Sequence, residues 1–323
     1  MKILITGGSG FLGTALTNAL TQNGVNGETA TVTWVSRSAT QGNVNTIGYS
    51  NLATTNETYD IIINLAGAGI ADSRWTDTRK QELLDSRLKP TQAVVDYIQR
   101  IADKPKLLIS GSAIGWYGVQ DESDRTALDE NSPTVKTDFA HELCEKWENL
   151  AKTVSDIVPV TIIRTGVVIA PNGGMVTRLV TPFKMGTGGQ LGNGKQMMSF
   201  ISKNDWVRAV VFVIEQNLSE NPFALSVSKG KDFPMAHHEH KQNVQVYNLT
   251  APTPATNYEF TKAMGEWLHR PTFMTMPACV VKAMFGEMGQ TLLLDGQRVV
   301  PKALMDKGFE FKDLTVLDAL TKG

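Results

Sequence analysis

The stretch "TGGSGFLG", residues 6 to 13, constrains this chain more than any other. It follows the short β-branched run "KILIT" and opens "FLGTALTNALTQNG", where Leu12, Leu16, Ala19 and Leu20 recur at helical spacing before Gly24. Strand, glycine turn and helix in that order begin a βαβ unit, and each glycine has its own task. Gly7 permits the tight turn, Gly10 lets backbone approach a pyrophosphate with no Cβ in the way, and Gly13 lets helix and strand pack closely. The helix N-terminus then offers free N–H groups and a positive dipole to the anion. A glycine turn with no ligand is the competing reading, and the strand before and helix after weigh against it.

The pattern repeats. "TVTWVS" (31–36), "YDIIINLAG" (59–67), "KLLISGSA" (106–113) and "VPVTIIRTGVVIA" (158–170) are apolar strands, with long amphipathic segments at about 73–102 and 137–155. Fully apolar strands alternating with helices predict an α/β fold with a doubly wound parallel sheet covered on both faces. Pro90 is expected to kink or end the first long helix, leaving two pieces. Beyond residue 170, "PNGGMVTRLVTPFKMGTGGQLGNGKQMM" predicts loops and short strands over the carboxyl ends of the sheet. Residues 204–216 read as a helix capped by Asn204 or Asp205, 219–245 as a polar surface excursion, 246–250 as a strand and 257–270 as a helix. The expected division is a dinucleotide-binding domain over 1–170, its core completed by about 199–216 and 246–250. A smaller α+β lobe takes 171–198 and 251–323.

Composition narrows the partners. With 31 Lys and Arg against 32 Asp and Glu, and no basic or acidic block, nothing recommends a nucleic acid or membrane surface, so a small-molecule ligand is expected. The two cysteines, Cys144 and Cys279, have no metal-site or disulfide spacing, and the longest apolar runs fall far short of the ~20 residues of a membrane helix. The expectation is a cytoplasmic protein without a metal. Which nucleotide it takes is decided at the end of the second strand. An NAD binder places a carboxylate there for the adenosine ribose, whereas this chain has Ser36, Arg37 and Ser38. A guanidinium with hydroxyls suits a 2'-phosphate, so NADP(H) is expected.

"TGGSGFLG", "NLAG" (64–67), "SGSAIGWYG" (110–118) and "SFISKNDW" (199–206) together resemble the extended short-chain dehydrogenase/reductase superfamily, of the NAD-dependent epimerase/dehydratase kind. "SRW" (73–75), "SRL" (86–88), "KWE" (146–148), "RTGVVIAPNGGM", "GTGGQLGNGKQ", "APTPATNYEF" and "GQRVVPKALMDKGFEF" narrow the likeness to its atypical, sugar-nucleotide-epimerase-like NADP(H)-binding subfamily. The resemblance implies a Rossmann domain with a smaller C-terminal lobe, and hydride chemistry, often on nucleotide sugars. It places Gly7, Gly10, Phe11 and Leu12 at the diphosphate, Ser36 and Arg37 at the 2'-phosphate, and Leu65 with Ala66 on the adenosine side. It also turns Glu82 and Arg87 toward the cofactor and sets Arg164 near the nicotinamide half; an exposed helix of alternating charge is the bland alternative for Glu82 and Arg87.

Catalysis departs from that pattern. A dehydrogenase of this kind needs a tyrosine hydroxyl to move a proton and a lysine to lower its pKa. Ser112 fits the serine that orients substrate, with Ser110 a weaker candidate, but the next helix, residues 137–150, carries no tyrosine. Tyr117 and His141 are the remaining candidates to substitute, with Tyr117 preferred. Tyr258 and Lys262 in "TNYEFTK" have the right mutual spacing but lie on a helix beyond the last core strand. There they are expected to be structural, with Asn257 as cap and Phe260 and Met264 buried. "HHEH" (237–240) reads as a solvated loop, and the glycine-rich segment 186–194 as either a closing loop or a run of tight turns. The chain is therefore expected to be an NADP(H)-dependent oxidoreductase or epimerase-like enzyme without the usual dyad, or else a non-catalytic NADP(H) sensor.

Overall fold

Seven parallel strands form one sheet in the computed structural model, which describes residues 1–38, 44–220 and 243–322. In chain order the first elements are β1 (Lys2–Thr6), α1 (Phe11–Asn23), β2 (Thr31–Ser36), β3 (Asn45–Gly48), α2 (Tyr49–Thr54), β4 (Ile61–Asn64) and α3 (Asp77–Arg100). They continue with β5 (Leu107–Ala113), α4 (Phe139–Lys152), β6 (Val160–Thr165), β7 (Val167–Ala170), α5 (Gly174–Lys184), β8 (Gly189–Leu191), β9 (Met197–Met198), β10 (Phe200–Ser202) and α6 (Lys203–Glu220). The last are β11 (Val244–Leu249), β12 (Ala255–Thr256), α7 (Asn257–Leu268), β13 (Met274–Met276), α8 (Ala278–Gly289), α9 (Lys302–Asp306) and α10 (Val316–Lys322).

The sheet order is β11-β6-β5-β4-β1-β2-β3. From β1 the chain winds outward through β2 and β3, then returns to place β4 on the other side, so the order reverses between β1 and β4. That reversal opens a crevice at the carboxyl ends of the two strands, where ligands of open α/β sheets bind. Alternation along β1 divides its side chains. Ile3 and Ile5 pack with Leu16 and Leu20 of α1 and with Trp206 and Val210 of α6, while Leu4 packs with Val94, Val95 and Ile98 of α3. Each fully buried Leu or Ile contributes about 1.5–3 kcal/mol, so both faces hold the sheet. A third cluster gathers Val176 and Phe183 of α5, Phe260 and Met264 of α7, and Val316, Ala319 and Leu320 of α10 around Ile169 of β7 and Phe200 of β10.

Several expectations are corrected. α3 runs as a single helix through Pro90, because Leu83 before it and Val94, Val95, Tyr97 and Ile98 after it are all buried. That packing offsets the ~3 kcal/mol a helix-interior proline costs. Residues 158–170 are two strands, since the chain turns at Gly166, whose Cβ would collide with the Ser199 carbonyl oxygen, and β7 leaves the main sheet to pair with β10. β3 and α2 are additional to the predicted elements. Residues 174–184 are helical, with Val176 and Phe183 turned inward. Ser202 Oγ, rather than Asn204 or Asp205, receives the Asp205 N–H at the start of α6. Asp205 instead accepts the backbone N–H groups of Lys312 and Asp313, fastening the C-terminal segment.

Candidate functional site

The cradle is set by what glycine side chains would strike. Gly7 has φ +70°, a backbone region that favours glycine, and a Cβ there would sit 2.8 Å from the carbonyl carbon and oxygen of Leu65. The loop after β4, Leu65 and Ala66, therefore presses directly on the turn after β1. A Cβ on Gly13 would collide with the Gly7 carbonyl oxygen and Gly8 Cα, so helix and turn can approach this closely only without one. Gly10 differs. Its Cβ would meet only the Gly7 carbonyl oxygen, at 3.2 Å, and its φ of −77° is open to any residue. The protein crowds position 10 at one tight contact, far less than at positions 7 and 13, and a ligand backed against the turn would crowd it further.

Gly10 is also the N-cap of α1, and no side chain caps that helix. The first-turn amides of Phe11 and Leu12 thus meet neither a capping oxygen nor an acidic residue, and their dipole end is left for an anion. Phe11 is half-exposed and lies against Gly173 across the mouth. Beneath the cradle, Thr6 Oγ1 donates to Asn64 Oδ1 at 2.6 Å and Asn64 Nδ2 donates to Thr91 Oγ1 at 2.7 Å, locking β1, β4 and α3 together. Ser36 ends β2 and Arg37 follows it, exposed, with no carboxylate at the strand end. Its charge lies near enough to Tyr49 to oppose the upward push that burial gives that phenol.

Arg87 lies beside Gly67, where a Cβ would come 3.1 Å from its Cζ, and it stacks on Trp147 with 5.4 Å to the ring centroid. Its guanidinium donates to the Leu83 and Ala68 carbonyls and to Ser86 Oγ, all neutral acceptors. Burial pushes its pKa down, and no carboxylate holds it up. Glu82, five residues earlier on α3, is exposed and pairs with Arg79 at 3.0 Å.

The catalytic candidates converge on one buried network that the sequence did not disclose. Ser112 Oγ donates to Glu148 Oε1 at 2.8 Å. Arg164 grips the same carboxylate through Nε and Nη2, at 2.8 and 3.0 Å, and donates Nη1 to the Tyr117 hydroxyl at 3.1 Å. Tyr117 in turn donates to Asn248 Oδ1 at 2.8 Å, and Lys152 reaches Glu148 Oε2 at 3.0 Å. Arg164 is further covered by the Trp116 ring, 4.2 Å from Cζ. Burial alone would lower the Arg164 pKa, but the Glu148 carboxylate more than reverses this. Tyr117 is fully buried, and that burial, opposed by Arg164, pushes its phenol up to about 12. Both candidate hydroxyls are thus engaged inside the protein. Glu148 appears in sequence only as part of "KWE"; its signal was a charge on the apolar face of α4, four residues before Lys152.

Where a tyrosine and lysine would stand on α4, the buried residues are Phe139, Ala140, Leu143 and Cys144. Cys144 Sγ lies 3.6 Å from the Ala113 carbonyl, and burial pushes its thiol up to about 11. His141 turns away: its N–H caps onto Asp138, and Nδ1 lies 2.6 Å from the Trp116 carbonyl oxygen. Ser110 is buried within β5. Tyr258 is half exposed, with Lys262 Nζ 5.4 Å from its ring centroid, on the outer face of α7. Thr256, not Asn257, caps that helix, in a reciprocal pair with Glu259. Segment 186–194 is docked at several points: β8 pairs with β13, Leu191 N donates to Asn257, and Tyr258 N donates to the Gly194 carbonyl. Among the described residues no cluster could hold a metal and no helix is long and apolar enough to cross a membrane. "HHEH" at 237–240 lies outside the described residues.

The model of the NAD dependent epimerase/dehydratase family matches residues 3–226, and a domain of unknown function (DUF1731) matches residues 276–322. The chain is 38% identical to "Epimerase family protein Mb2239" of Mycobacterium bovis over 263 residues, covering 81% of this chain and 77% of that one. It is 32% identical to the Homo sapiens epimerase family protein SDR39U1 over 314 residues, 96% of this chain and 95% of the relative. The crystal structure of human SDR39U1 (isoform 2) with NADPH superposes with a TM-score of 0.83 at 31% identity, covering 99% of this chain and 97% of that one. A UDP-glucuronic acid 4-epimerase from Bacillus cereus, solved with UDP-glucuronic acid and NAD, shares the fold at 17% identity and a TM-score of 0.70. A sheet that reverses at β1 and β4, an uncapped helix on a glycine turn, and a family match over most of its length make this chain a member of the NAD dependent epimerase/dehydratase family.

Proposed function

We propose that the chain binds NADP(H) across the carboxyl ends of β1, β2 and β4 and acts as an NADP(H)-dependent oxidoreductase or epimerase-like enzyme on a small molecule. The observation that carries this reading is the uncapped head of α1, where neither a side-chain cap nor an acidic residue meets the first-turn amides and Gly10 is crowded by only one protein atom. Gly7, Gly10, Gly13 and the Phe11 and Leu12 amides would take the diphosphate, Ser36 and Arg37 the 2'-phosphate, and Leu65 and Ala66 the adenosine side. Arg87, a guanidinium with only neutral partners, would meet a negative group of the nucleotide at the rim. The human relative solved with NADPH supports the choice of nucleotide. The nucleotide-sugar ligands of fold neighbours support a small hydroxylated or carbonyl substrate.

The bound nicotinamide would donate a hydride, or in an epimerisation take one and return it; the chain's part is to bind, orient and exclude water. Ser112 and Tyr117 act in this reading by fixing the strand ends through Glu148 and Arg164, because their hydroxyls already have protein partners. Both Glu148 oxygens are already taken up by Arg164 and Lys152 as well as Ser112, so the carboxylate is committed to holding the network together. The same commitment favours a second reading, an NADP(H)-binding protein that senses the nucleotide without turnover.

Titration separates them. Trp34 lies against Gly8 of the cradle, so tryptophan fluorescence reports on the site itself. NADPH is expected to bind more tightly than NADH, and equal affinities would defeat the 2'-phosphate assignment. A screen of carbonyl compounds for NADPH oxidation, and of nucleotide sugars with NADP+ for epimerised product, then decides: turnover in either supports the enzyme, and tight binding with no turnover in both supports the sensor.

A further inference from the structure

The two most exposed large apolar side chains among the described residues sit on neighbouring turns. Phe273 is 78% exposed and Met185 is 73% exposed. Arg270 Nε donates to the Lys184 carbonyl at 3.2 Å, which holds the turn after α5 against the turn between α7 and β13. Met274, next along the chain, is half exposed and begins β13. Single exposed apolar residues are ordinary, whereas a strip of three marks a contact surface.

The edge of β13 is a second observation. The strand pairs with β8 on one side and with no strand on the other. Gly192 N donates to the Met276 carbonyl at 2.9 Å on the β8 side. Alternation then turns the N–H and carbonyl of Thr275 to the open side, and Thr275 is exposed. An open edge with neither charge nor proline is a template for another strand.

Charge decides what covers this face. A groove of about 560 Å³ runs beside Phe273, lined by Lys262 and Glu266 of α7 and by His269, Arg270 and Pro271 after it. Lys262 lies over the Tyr258 ring, the Arg270 guanidinium donates to backbone carbonyls, and neither they nor Glu266 enter an ion pair among the described residues. An anionic partner, such as an acidic lipid surface, would be repelled by Glu266, and a cationic one by Lys262 and Arg270. A second copy of this chain brings both signs. A two-fold contact is self-complementary, and this face carries what that needs: unpaired charges of both signs, and a protruding ring beside an open groove. At the axis, an outward-facing residue of each edge strand exchanges its N–H and carbonyl with its own symmetry mate.

We propose that this face is a homodimer interface, in which β13 pairs antiparallel with β13 of a second copy, Phe273 of each chain enters the groove of the other, and Glu266 of each meets Lys262 or Arg270 of the other. It goes beyond the nucleotide reading and does not depend on it, since no cradle residue takes part.

Sedimentation equilibrium of the full chain over a concentration series tests this, for the parent and for Phe273→Asp and Thr275→Pro. The parent is expected to approach twice the mass of one chain as concentration rises. Phe273→Asp sets a charge against the groove and is expected to weaken dimerisation roughly a hundredfold or more. Thr275→Pro removes the outward N–H and no bond to β8, and is expected to weaken it roughly tenfold. Melting of the dilute, monomeric chains and NADPH titration are expected to match the parent in both variants, so that a folding defect or a failed nucleotide site is distinguishable from a lost interface. Should Thr275→Pro not fold, Phe273→Asp decides alone. A parent that stays monomeric at every concentration, or a dimer that either folded variant leaves intact, overturns the proposal. A monomeric parent that sediments with phosphatidylserine vesicles, and no longer does so as Phe273→Asp, overturns it in favour of a membrane surface.

Discussion

Arg164 and Glu148 face each other through two hydrogen bonds, Nε to Oε1 at 2.8 Å and Nη2 to Oε2 at 3.0 Å, with both side chains almost wholly out of water. They join β6 to α4 beside Ser112, near the end of β5, and Tyr117, in the helical turn that follows it. Removing one partner leaves a buried charge uncompensated, which costs about 3–5 kcal/mol. Glu148→Ala is therefore expected to lower the melting temperature sharply in a thermal scan. A change of under about 1 kcal/mol would show that the pair does not hold the site.

The alkaline limb of stability tests Tyr117. Its phenol is pushed up to about 12 by burial, above the ordinary value of 10, so the folded chain keeps a proton that the unfolded chain releases. A raised folded pKa gives stability that is complete below pH 10 and is lost as pH rises from 10 toward 12. In Tyr117→Phe the slope of unfolding free energy against pH over that window should become shallower by up to roughly 1.4 kcal/mol per pH unit. Tyr59 and Tyr97, also raised to about 12, keep part of the slope in the variant. Denaturant melts at pH 9, 10.5 and 11.5 measure it, and an unchanged slope would refute the buried, un-ionised Tyr117.

The two glycines of the cradle should part company. Gly7→Ala places a side chain at φ +70° against Leu65, and strain of this kind costs about 1–3 kcal/mol before the clash is counted. Gly10→Ala sets its methyl 3.2 Å from the Gly7 carbonyl oxygen, which must give by a few tenths of an ångström, so it should melt closer to the parent than Gly7→Ala does, yet weaken NADPH by an order of magnitude or more. Parental NADPH affinity in a folded Gly10→Ala would defeat the nucleotide site at the head of α1.

Arg37→Ala is expected to weaken NADPH roughly ten- to a hundredfold, the worth of charge-assisted hydrogen bonds of about 1.5–3 kcal/mol, and to leave NADH nearly unchanged. Parallel fluorescence titrations of both nucleotides read this directly, and equal losses would place Arg37 elsewhere on the ligand.

Tyr258→Phe is the control for the tempting spacing at 258 and 262. The hydroxyl is on the outer face of α7, so melting should shift by less than about 0.5 kcal/mol, with nucleotide affinity and any turnover intact. A loss of turnover would return this pair to the mechanism.

The local pattern of the chain was enough for the first βαβ unit, because the glycines at 7, 10 and 13 act on their own neighbours within a few residues. It also sufficed for the parallel sheet, because strands buried on both faces read as unbroken apolar runs, and for the absence of a tyrosine on α4. What it left undetermined depends on atoms distant in sequence. Gly166 divides a continuous apolar run only because the Ser199 carbonyl comes against it. Pro90 stays inside a helix only because burial on both sides of it outweighs one lost hydrogen bond. The partners of Ser112, Tyr117 and Arg164 are Glu148 and Asn248, and Asn248 lies 131 residues from the tyrosine it binds. Side-chain chemistry in the sequence named the groups able to move a proton. Only the folded chain, by taking Ser112 and Tyr117 out of water and giving both hydroxyls protein partners, determined that these two are not free to act.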